Sequence, residues 1–268
     1  MEKTSITAHM LVKNEERWIW FAVQSVLPAV DGVLVVDTGS SDRTLDILKT
    51  IRANKLVVEE REAGSREELV NLRNEMLKRT KTDWFLLVDG DEIWPKPALA
   101  KLAAAIETAP AEVWGIVVRT RNCVGDVWHF QPEEAGRYEL LGRKGHLTIR
   151  AYRKLPGFRW QGVYPNEAYC DGKGNPLNGQ DDHLAFVDVA YWHVTHLLRT
   201  SSDTEVIDRK KKYKLEIGTK ANRSELPDIF FAARPSIVPS PWIKFSTKDR
   251  LMALVATPLR ALKRKIVP

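Results

Sequence analysis

The sequence is poor in cysteine, lacks long apolar runs and carries no charge excess outside its last residues. Its 268 residues include two cysteines, Cys123 and Cys170, which are too few for a disulfide framework or a cysteine-based zinc site. No stretch reaches the roughly 18 apolar residues that a membrane-spanning helix needs. The first residues also lack the apolar segment of a secretory signal. These absences predict a cytoplasmic protein with reduced thiols.

The positive charge is concentrated at one end of the chain. The formal net charge is +6, from 41 basic and 35 acidic residues, and residues 242–268 hold seven of the basic residues but a single acid, Asp249. The remainder is therefore neutral, with 34 residues of each sign. A neutral body argues against a protein built around a nucleic-acid-binding surface, so we expect no nucleic-acid partner.

The basic end has the pattern of an amphipathic helix. Its apolar residues recur at steps of three or four, at Leu251, Val255, Leu259, Leu262 and Ile266. Such a helix can lie on an anionic membrane surface, or it can pack on its own domain, and the sequence leaves both open. Pro258 predicts either a kink or the start of a second helix with Thr257 as its cap. A peripheral position at the inner face of the cell membrane is therefore an alternative to a freely cytoplasmic one.

The first half of the chain alternates between strand and helix patterns. Short apolar runs predict five strands, at 6–12, 33–37, 56–60, 84–88 and 114–120. Helices are predicted between them, over 15–27, up to about 53, up to about 80 and up to about 108. The third of these helices opens with Ser65 and Glu68 in the S-x-x-E pattern of a capping box. This alternation predicts an α/β fold with a mostly parallel sheet flanked by helices.

Polar clusters follow four of the predicted strands, at the point where each strand ends. They are Asn14–Glu16, Asp37–Asp42, Glu60–Glu62 and Asp89–Glu92. Ligands bind outside the carboxyl ends of the strands in open α/β sheets, so these clusters predict one site at a common edge. Asp37 is placed there to accept hydrogen bonds from a base or ribose, or else to serve as a turn or capping carboxylate.

The segment Asp89-Gly90-Asp91 predicts a metal site. Two carboxylates that follow a buried strand can both reach one hard cation, and the intervening glycine permits a tight turn. Mg²⁺ and Mn²⁺ prefer oxygen ligands and are often shared with substrate phosphates, where they neutralise a departing diphosphate. The alternative interpretation is a surface turn rich in Asp and Gly. The buried run before the turn and the neighbouring clusters favour the metal.

Taken together, these motifs resemble those of glycosyltransferase family 2, in particular bacterial enzymes of cell-surface polysaccharide and lipopolysaccharide synthesis. The resemblance covers roughly residues 5–95 and rests on four segments, Val12–Glu16, Val35–Thr44, Arg73-Asn74 and Asp89–Glu92. It implies a GT-A fold and a nucleotide-sugar donor, most often a UDP-sugar. Thr38 stands where the family commonly has a second acid.

The resemblance also implies roles for individual residues. Glu15 and Asp37 would contact the nucleotide, in a site that includes Asn14, and Arg73 would lie near the donor. Asp89 and Asp91 would hold Mn²⁺ or Mg²⁺ together with the donor diphosphate.

The second half of the chain must supply a base if the transfer inverts the anomeric carbon. Glu167 is the first candidate, because its segment resembles an aromatic-rich stretch that ends in Glu in some bacterial members. Asp182, next to Asp181, is the alternative, and a solvated loop acid is the other interpretation of each. His193 is the candidate to complete the metal shell, although ordinary hydrogen-bonded histidines would explain His193 and His196 as well.

We therefore predict a GT-A domain over 1–204, with a nucleotide-binding half at 1–120 and an acceptor half at 121–204, and a basic extension at 205–268. The predicted activity is transfer of a sugar from a nucleoside-diphosphate sugar to a hydroxyl of a glycan or lipid-linked acceptor. Two alternatives stay open: a phosphatase or phosphotransferase of the haloacid dehalogenase type, and a GT-A-like protein that binds nucleotide or sugar without turnover. In the phosphatase, Asp89 and Asp91 would supply the nucleophile and the acid, and Asp181 and Asp182 the later metal ligands. Its first motif normally has Thr or Val four residues after the first Asp, where Ile93 stands.

Overall fold

The computed structural model describes residues 4–200, 216–243 and 246–266, and the predicted boundary at 204/205 lies outside them. The helices are α1 (Ile19–Val26), α2 (Thr44–Leu48), α3 (Arg66–Arg79), α4 (Lys96–Glu107) and α5 (Thr247–Ile266). The strands of the first half are β1 (Ile6–Val12), β2 (Gly32–Asp37), β3 (Leu56–Glu60), β4 (Trp84–Leu87), β5 (Glu92–Ile93) and β6 (Gly115–Asn122). Those of the second half are β7 (His129–Phe130), β8 (Tyr138–Leu140), β9 (Arg143–Gly145), β10 (Leu147–Arg153), β11 (Arg159–Gln161), β12 (Ala168–Cys170), β13 (Leu184–His193) and β14 (Thr219–Lys220).

The central sheet has the strand order β3-β2-β1-β4-β10-β6-β13-β5. Strands β3, β2, β1 and β4 are parallel, as the alternating pattern predicts. Strand β10 runs antiparallel to both β4 and β6, β13 runs parallel to β6, and β5 pairs antiparallel with β13. Strands from both predicted halves, 1–120 and 121–204, therefore belong to one sheet. The predicted α/β class, with a mostly parallel sheet flanked by helices, is confirmed.

Strand β4 is buried on both faces and shows how the helices flank the sheet. Trp84 and Leu86 belong to the cluster that includes the apolar residues of α1 and α4. Phe85 and Leu87 point the other way, into a cluster that includes Val70 of α3. Successive side chains of a strand face opposite sides, so a run without polar residues is what a strand covered on both faces requires.

Helix α3 begins as the sequence predicts. The Ser65 hydroxyl accepts from the Glu68 backbone N–H at 3.1 Å, and the Glu68 carboxylate accepts from the Ser65 N–H at 3.2 Å. This reciprocal capping box satisfies two donors that the first turn leaves without helical partners.

Helix α1 begins four residues later than predicted, at Ile19 rather than residue 15. The reason is tertiary: Asn14 has a positive φ of 55°, and the Glu15 N–H donates to the Thr44 hydroxyl at 2.8 Å. Residues 15–18 therefore form a turn that is held against the start of α2, and the regular helix begins after it. Helix α2 is also shorter than predicted and ends at Leu48.

Helix α5 is a single helix through Pro258, so no second helix begins there. The Thr257 hydroxyl does not act as a cap, because it donates to the Ala253 carbonyl at 2.6 Å and accepts from the Ile217 N–H at 2.8 Å. Within the described residues, no helix is both long and apolar enough to cross a bilayer.

Candidate active site

A cavity of about 1360 Å³ opens at the carboxyl ends of β4, β6 and β13. It is larger than a typical small-molecule site, which allows two substrates to be accommodated together. Four of the residues singled out from the sequence line it: Arg73, Asp89, Glu167 and His193. The topology thus brings together side chains from widely separated parts of the chain.

The acidic turn after β4, Asp89–Glu92, is attached to the end of β13. Glu92 pairs with His193 in the β5–β13 ladder, and the Val194 N–H donates to the Asp91 carbonyl at 3.0 Å. As a result, the His193 Nε2 and an Asp91 carboxylate oxygen lie 3.4 Å apart. Strand β4 therefore positions the carboxylates of Asp89 and Asp91, and the pairing of β13 with β5 positions the His193 imidazole beside them.

Gly90 allows this turn to approach the first strand closely. A Cβ at this position would lie 2.6 Å from Glu15 Cγ and 3.2 Å from a methyl carbon of Val12. Real Cβ atoms do not approach other carbons to 2.6 Å, so any larger residue would push the two segments apart. Glycine is required here for a close approach.

Arg150 organises the far side of the acidic turn, and the sequence reasoning missed it. Its guanidinium contacts the Glu92 carboxylate, lies 3.4 Å from Asp89 Oδ2, and donates to the Tyr191 hydroxyl at 3.1 Å. Thr120 also donates to that hydroxyl, at 2.9 Å. The sequence signal was weak, because Arg150 is one of two arginines in the alternating run of β10.

Protonation in this cluster is set by burial and by the crowding of charges. Burial raises the pKa of Glu92 to about 7, with Asp89 and Asp91 adding to the rise and Arg150 opposing it. Burial alone would lower the pKa of His193, but Asp91 and the other two carboxylates outweigh it and raise that pKa above its ordinary value. The imidazole is thus drawn towards its charged form by the acids it faces.

Arg199 connects the first strand to the acidic turn. Its Nε donates to Glu15 Oε2 at 2.8 Å and lies 3.3 Å from Asp91 Oδ2. Its backbone segment is held in place because the Trp18 indole N–H donates to the Leu198 carbonyl at 2.8 Å. Glu15 and Asp91 are both buried, and neither lines the cavity surface itself.

Asp37 and Asn14 shape the loop after β2. Asp37 accepts from the backbone N–H groups of Gly39 at 3.1 Å and Ser40 at 2.8 Å, and its other oxygen accepts from the Ser40 hydroxyl at 2.5 Å. Asn14 Oδ1 accepts from the Ser41 N–H at 2.8 Å. Both residues are buried, and neither lines the cavity.

Glu167 is held at the cavity by Arg73. The Arg73 Nε donates to Glu167 Oε1 at 2.8 Å, and both side chains are almost fully buried. The other oxygen, Oε2, is buried and has no hydrogen-bond partner among the residues that the structure describes. Asn74 fixes the same segment to α3, since its amide exchanges hydrogen bonds of 2.9 and 2.8 Å with the Trp160 backbone.

The structure places Asp181 and Asp182 elsewhere. Both are exposed, in a turn directly before β13 begins. His193 ends that strand, so its length, roughly 30 Å, separates them from the acidic turn. Neither residue lines the cavity.

The donor types at the acidic turn fit a hard divalent cation. The carboxylate oxygens of Asp89 and Asp91 are of the kind that Mn²⁺ and Mg²⁺ prefer. The His193 imidazole is a softer ligand and would join them only in its neutral form. The side chains of Asp91 and His193 are already adjacent. In the part of the chain that the structure describes, however, no group of three or more His, Cys, Asp or Glu side chains is assembled as a metal cage.

The fold and the acidic turn at the sheet edge define a class of α/β proteins with a ligand site at the carboxyl ends of the strands. The family model "Glycosyl transferase family 2" matches residues 7–162, more than half of the chain. The chain therefore belongs to glycosyltransferase family 2, and its predicted GT-A fold class is confirmed. No curated protein sequence matches it.

Two solved structures illustrate the similarity. TarS from S. aureus (residues 1–349) is 19% identical with a TM-score of 0.46, and the alignment covers 72% of this chain and 61% of that one. Glucosyl-3-phosphoglycerate synthase from Mycobacterium tuberculosis, in complex with Mn²⁺, UDP-glucose and phosphoglyceric acid, is 21% identical with a TM-score of 0.46. Its alignment covers 71% of this chain and 72% of that one. The chain thus spans less than two thirds of the TarS chain.

Proposed function

We propose that this protein transfers a sugar from a UDP-sugar to an acceptor hydroxyl with inversion at the anomeric carbon, and that it requires Mn²⁺ or Mg²⁺. Membership of glycosyltransferase family 2 supports the general activity. The observation that carries the finer proposal is the Arg73–Glu167 pair on the same cavity as Asp89 and His193. Among the described residues, this pair leaves the buried Oε2 of Glu167 without a hydrogen-bond partner.

Glu167 is the proposed base. Its Oε1 is held by Arg73, so Oε2 is the atom that takes the proton of the acceptor hydroxyl. The acceptor oxygen then forms a bond to the anomeric carbon while the bond to the diphosphate oxygen breaks, through an oxocarbenium-like state. The nucleoside diphosphate leaves with the bonding electrons, and the proton stays on Glu167 until solvent removes it.

Asp89, Asp91 and His193 are the proposed metal ligands, and the metal when bound would neutralise the departing diphosphate. Arg150 keeps Asp89 and Glu92 in place. The nucleotide contacts of Asn14, Glu15 and Asp37 remain predictions. All three are buried and already hold the loop after β2 or the segment of Arg199.

The alternatives receive less support. Asp182 is exposed and far from the acidic turn, which favours Glu167 as the base. The haloacid dehalogenase hypothesis also needs Asp181 and Asp182 near Asp89, and it does not accord with the family match. A protein that binds the donor without turnover is the remaining competitor, and donor consumption separates the two.

The test is thermal unfolding in the presence of nucleotides and nucleotide sugars, with and without Mn²⁺. A ligand that binds the folded state raises Tm with the logarithm of its concentration relative to Kd. We expect a UDP-sugar to raise Tm only when Mn²⁺ is present. The rise in Tm should be lost in Asp91→Asn and in Asp89→Asn, where the replaced Asp89 side chain is partly exposed. The control Asp182→Asn should behave like the wild type.

Turnover is measured in parallel as release of the nucleoside diphosphate. Binding together with release would support a transferase, whereas binding without any release would support the non-enzymatic alternative. No metal-dependent shift with any nucleotide would contradict the proposed donor site.

A further inference from the structure

Helix α5 is attached to the body of the protein by one side only. Ala253 is fully buried, and Thr257 accepts from the Ile217 N–H at 2.8 Å. Near the end of the helix, Arg264 pairs with the buried Glu216 at 2.6 Å, and Arg260 lies 3.9 Å from the same carboxylate. These contacts fix which side of the helix faces inward and therefore which side faces solvent.

The outward side of α5 is apolar. Of the fourteen exposed large hydrophobic side chains in the described part of the chain, six lie on this helix. They are Leu251 (61% exposed), Met252 (49%), Leu254 (54%), Val255 (67%), Leu259 (65%) and Leu262 (56%). Because they are concentrated on one helix rather than scattered, they form a contiguous surface of the kind that marks an interaction site.

Cations border this apolar surface. Leu251, Val255 and Leu262 follow one another at steps of four and seven residues, so they share a line along the helix. Arg250 and Lys263 are exposed and lie to either side of that line, and Lys248 is exposed near the start. The single acid of the helix, Asp249, is partly buried and accepts from the Ser246 hydroxyl at 2.6 Å.

We propose that α5 lies flat on an anionic lipid bilayer, with its apolar side at the boundary between headgroups and acyl chains. Lys248, Arg250 and Lys263 would then meet the lipid phosphates. The charges favour this occupant over a second copy of the chain, because self-association through this surface would bring the same cations together.

The same helix contributes to the cavity wall. Arg260, Lys263 and Arg264 line the cavity together with Asp89 and Glu167. A helix resting on lipid holds the cavity next to the bilayer, where an acceptor carried by a lipid would present its hydroxyl. This last step rests on the proposed function, whereas membrane binding by α5 does not.

The experiment is sedimentation of the full chain with vesicles of phosphatidylcholine alone or with about one third phosphatidylserine. We expect binding to the anionic vesicles that weakens with salt. Val255→Glu should reduce it at least tenfold, and Lys263→Glu should reduce it less. Val57→Glu is the matched control, an exposed valine on β3 (46% exposed), and it should bind like the wild type.

Absence of binding to anionic vesicles by the wild type, or equal loss in both valine variants, would overturn the proposal. Sedimentation velocity without lipid tests whether a second copy of the chain covers the apolar side of α5 instead. A dimer that Val255→Glu dissociates would also overturn the proposal. Thermal shifts with UDP-sugar and Mn²⁺ should be unchanged in Val255→Glu, which shows that the variant is folded. If those shifts are absent in every variant while vesicle binding persists, the proposed transferase function fails and the membrane surface stands.

Discussion

Arg73 and Glu167 are 94 residues apart in sequence and form a buried ion pair with an Nε–Oε1 distance of 2.8 Å. The arginine comes from α3, and the glutamate follows the β11 segment that Asn74 holds against that helix. The pair orients one carboxylate oxygen and leaves the other without a partner among the described residues. A base needs this combination of a fixed position and an available oxygen.

Glu167→Gln should therefore lower kcat by a factor on the order of 10² to 10⁴, the usual contribution of a positioned base. The amide oxygen can still accept from Arg73, so Tm and the Mn²⁺-dependent nucleotide shift should change little. Steady-state release of the nucleoside diphosphate with acceptor present measures the effect. Glu134→Gln, an exposed acid of the same cavity, is the control, and equal losses in both variants would argue against the assignment.

Gly90→Ala should destabilise the acidic turn. The new methyl group would lie 2.6 Å from Glu15 Cγ, and overpacking of this kind costs about 1–3 kcal/mol. Displacement of Glu15 should also weaken donor binding, which titration with UDP and Mn²⁺ would measure. Gly172→Ala meets no atom within 4 Å and should leave both stability and binding unchanged. A fully stable Gly90→Ala protein would show that the close approach is not required.

His9 should make the protein sensitive to acid. Burial, with Arg73 and Lys154 contributing, lowers the pKa of His9 to about 3 from an ordinary 6.5. Between these values the unfolded chain binds a proton that the folded chain does not, so stability falls as pH falls through this window. At pH 5 the loss is about 2 kcal/mol.

His9→Phe removes this titration and can keep the stacking on Phe85, whose ring centroid is 4.8 Å away. Thr80 retains its hydrogen bond to the Met76 carbonyl at 2.8 Å. Urea unfolding at pH 7 and pH 5 should show a smaller difference for the variant than for the wild type. The same pH dependence in both proteins would assign the acid sensitivity to other groups.

Glu216→Gln should loosen α5. Burial acts to raise the pKa of Glu216, but hydrogen bonds from Arg264 and Gln131 and the charge of Arg260 bring it below its ordinary value. The ion pair of Glu216 with Arg264 therefore stabilises the attachment of α5 above about pH 4.5. This contribution to stability is lost as pH falls through the lowered pKa of Glu216.

In the variant, Arg260 and Arg264 lose their counter-charge, and we expect a loss of roughly 1–3 kcal/mol, since both arginines are partly exposed. Hydrogen exchange of the α5 amides should accelerate while exchange in the central sheet does not. Glu107→Gln, an exposed acid at the end of α4, provides the control. Unchanged exchange in α5 would contradict the role given to Glu216.

The sequence alone determined the features that depend on local patterns. Short apolar runs predicted β2 and β4, whose successive side chains are buried on both faces of the sheet. Ser65 and Glu68 predicted the start of α3 because the capping box is complete within four residues. The ordered motifs of the first half indicated the family, since their residues follow successive strands.

Only the tertiary structure decided the features that depend on distant neighbours. The prediction that α1 begins at residue 15 was wrong because Glu15 is bound by Thr44, 29 residues away. The contact between Arg150 on β10 and Glu92 on β5 joins distant segments, and burial raises the pKa of Glu92 although Arg150 opposes the rise. No local pattern of the sequence contains either feature. The side of α5 that meets solvent was decided by contacts of the opposite side, namely burial of Ala253, the Thr257–Ile217 hydrogen bond and the pairing of Arg264 with Glu216. The sequence specifies an amphipathic helix but not which of its sides binds the domain.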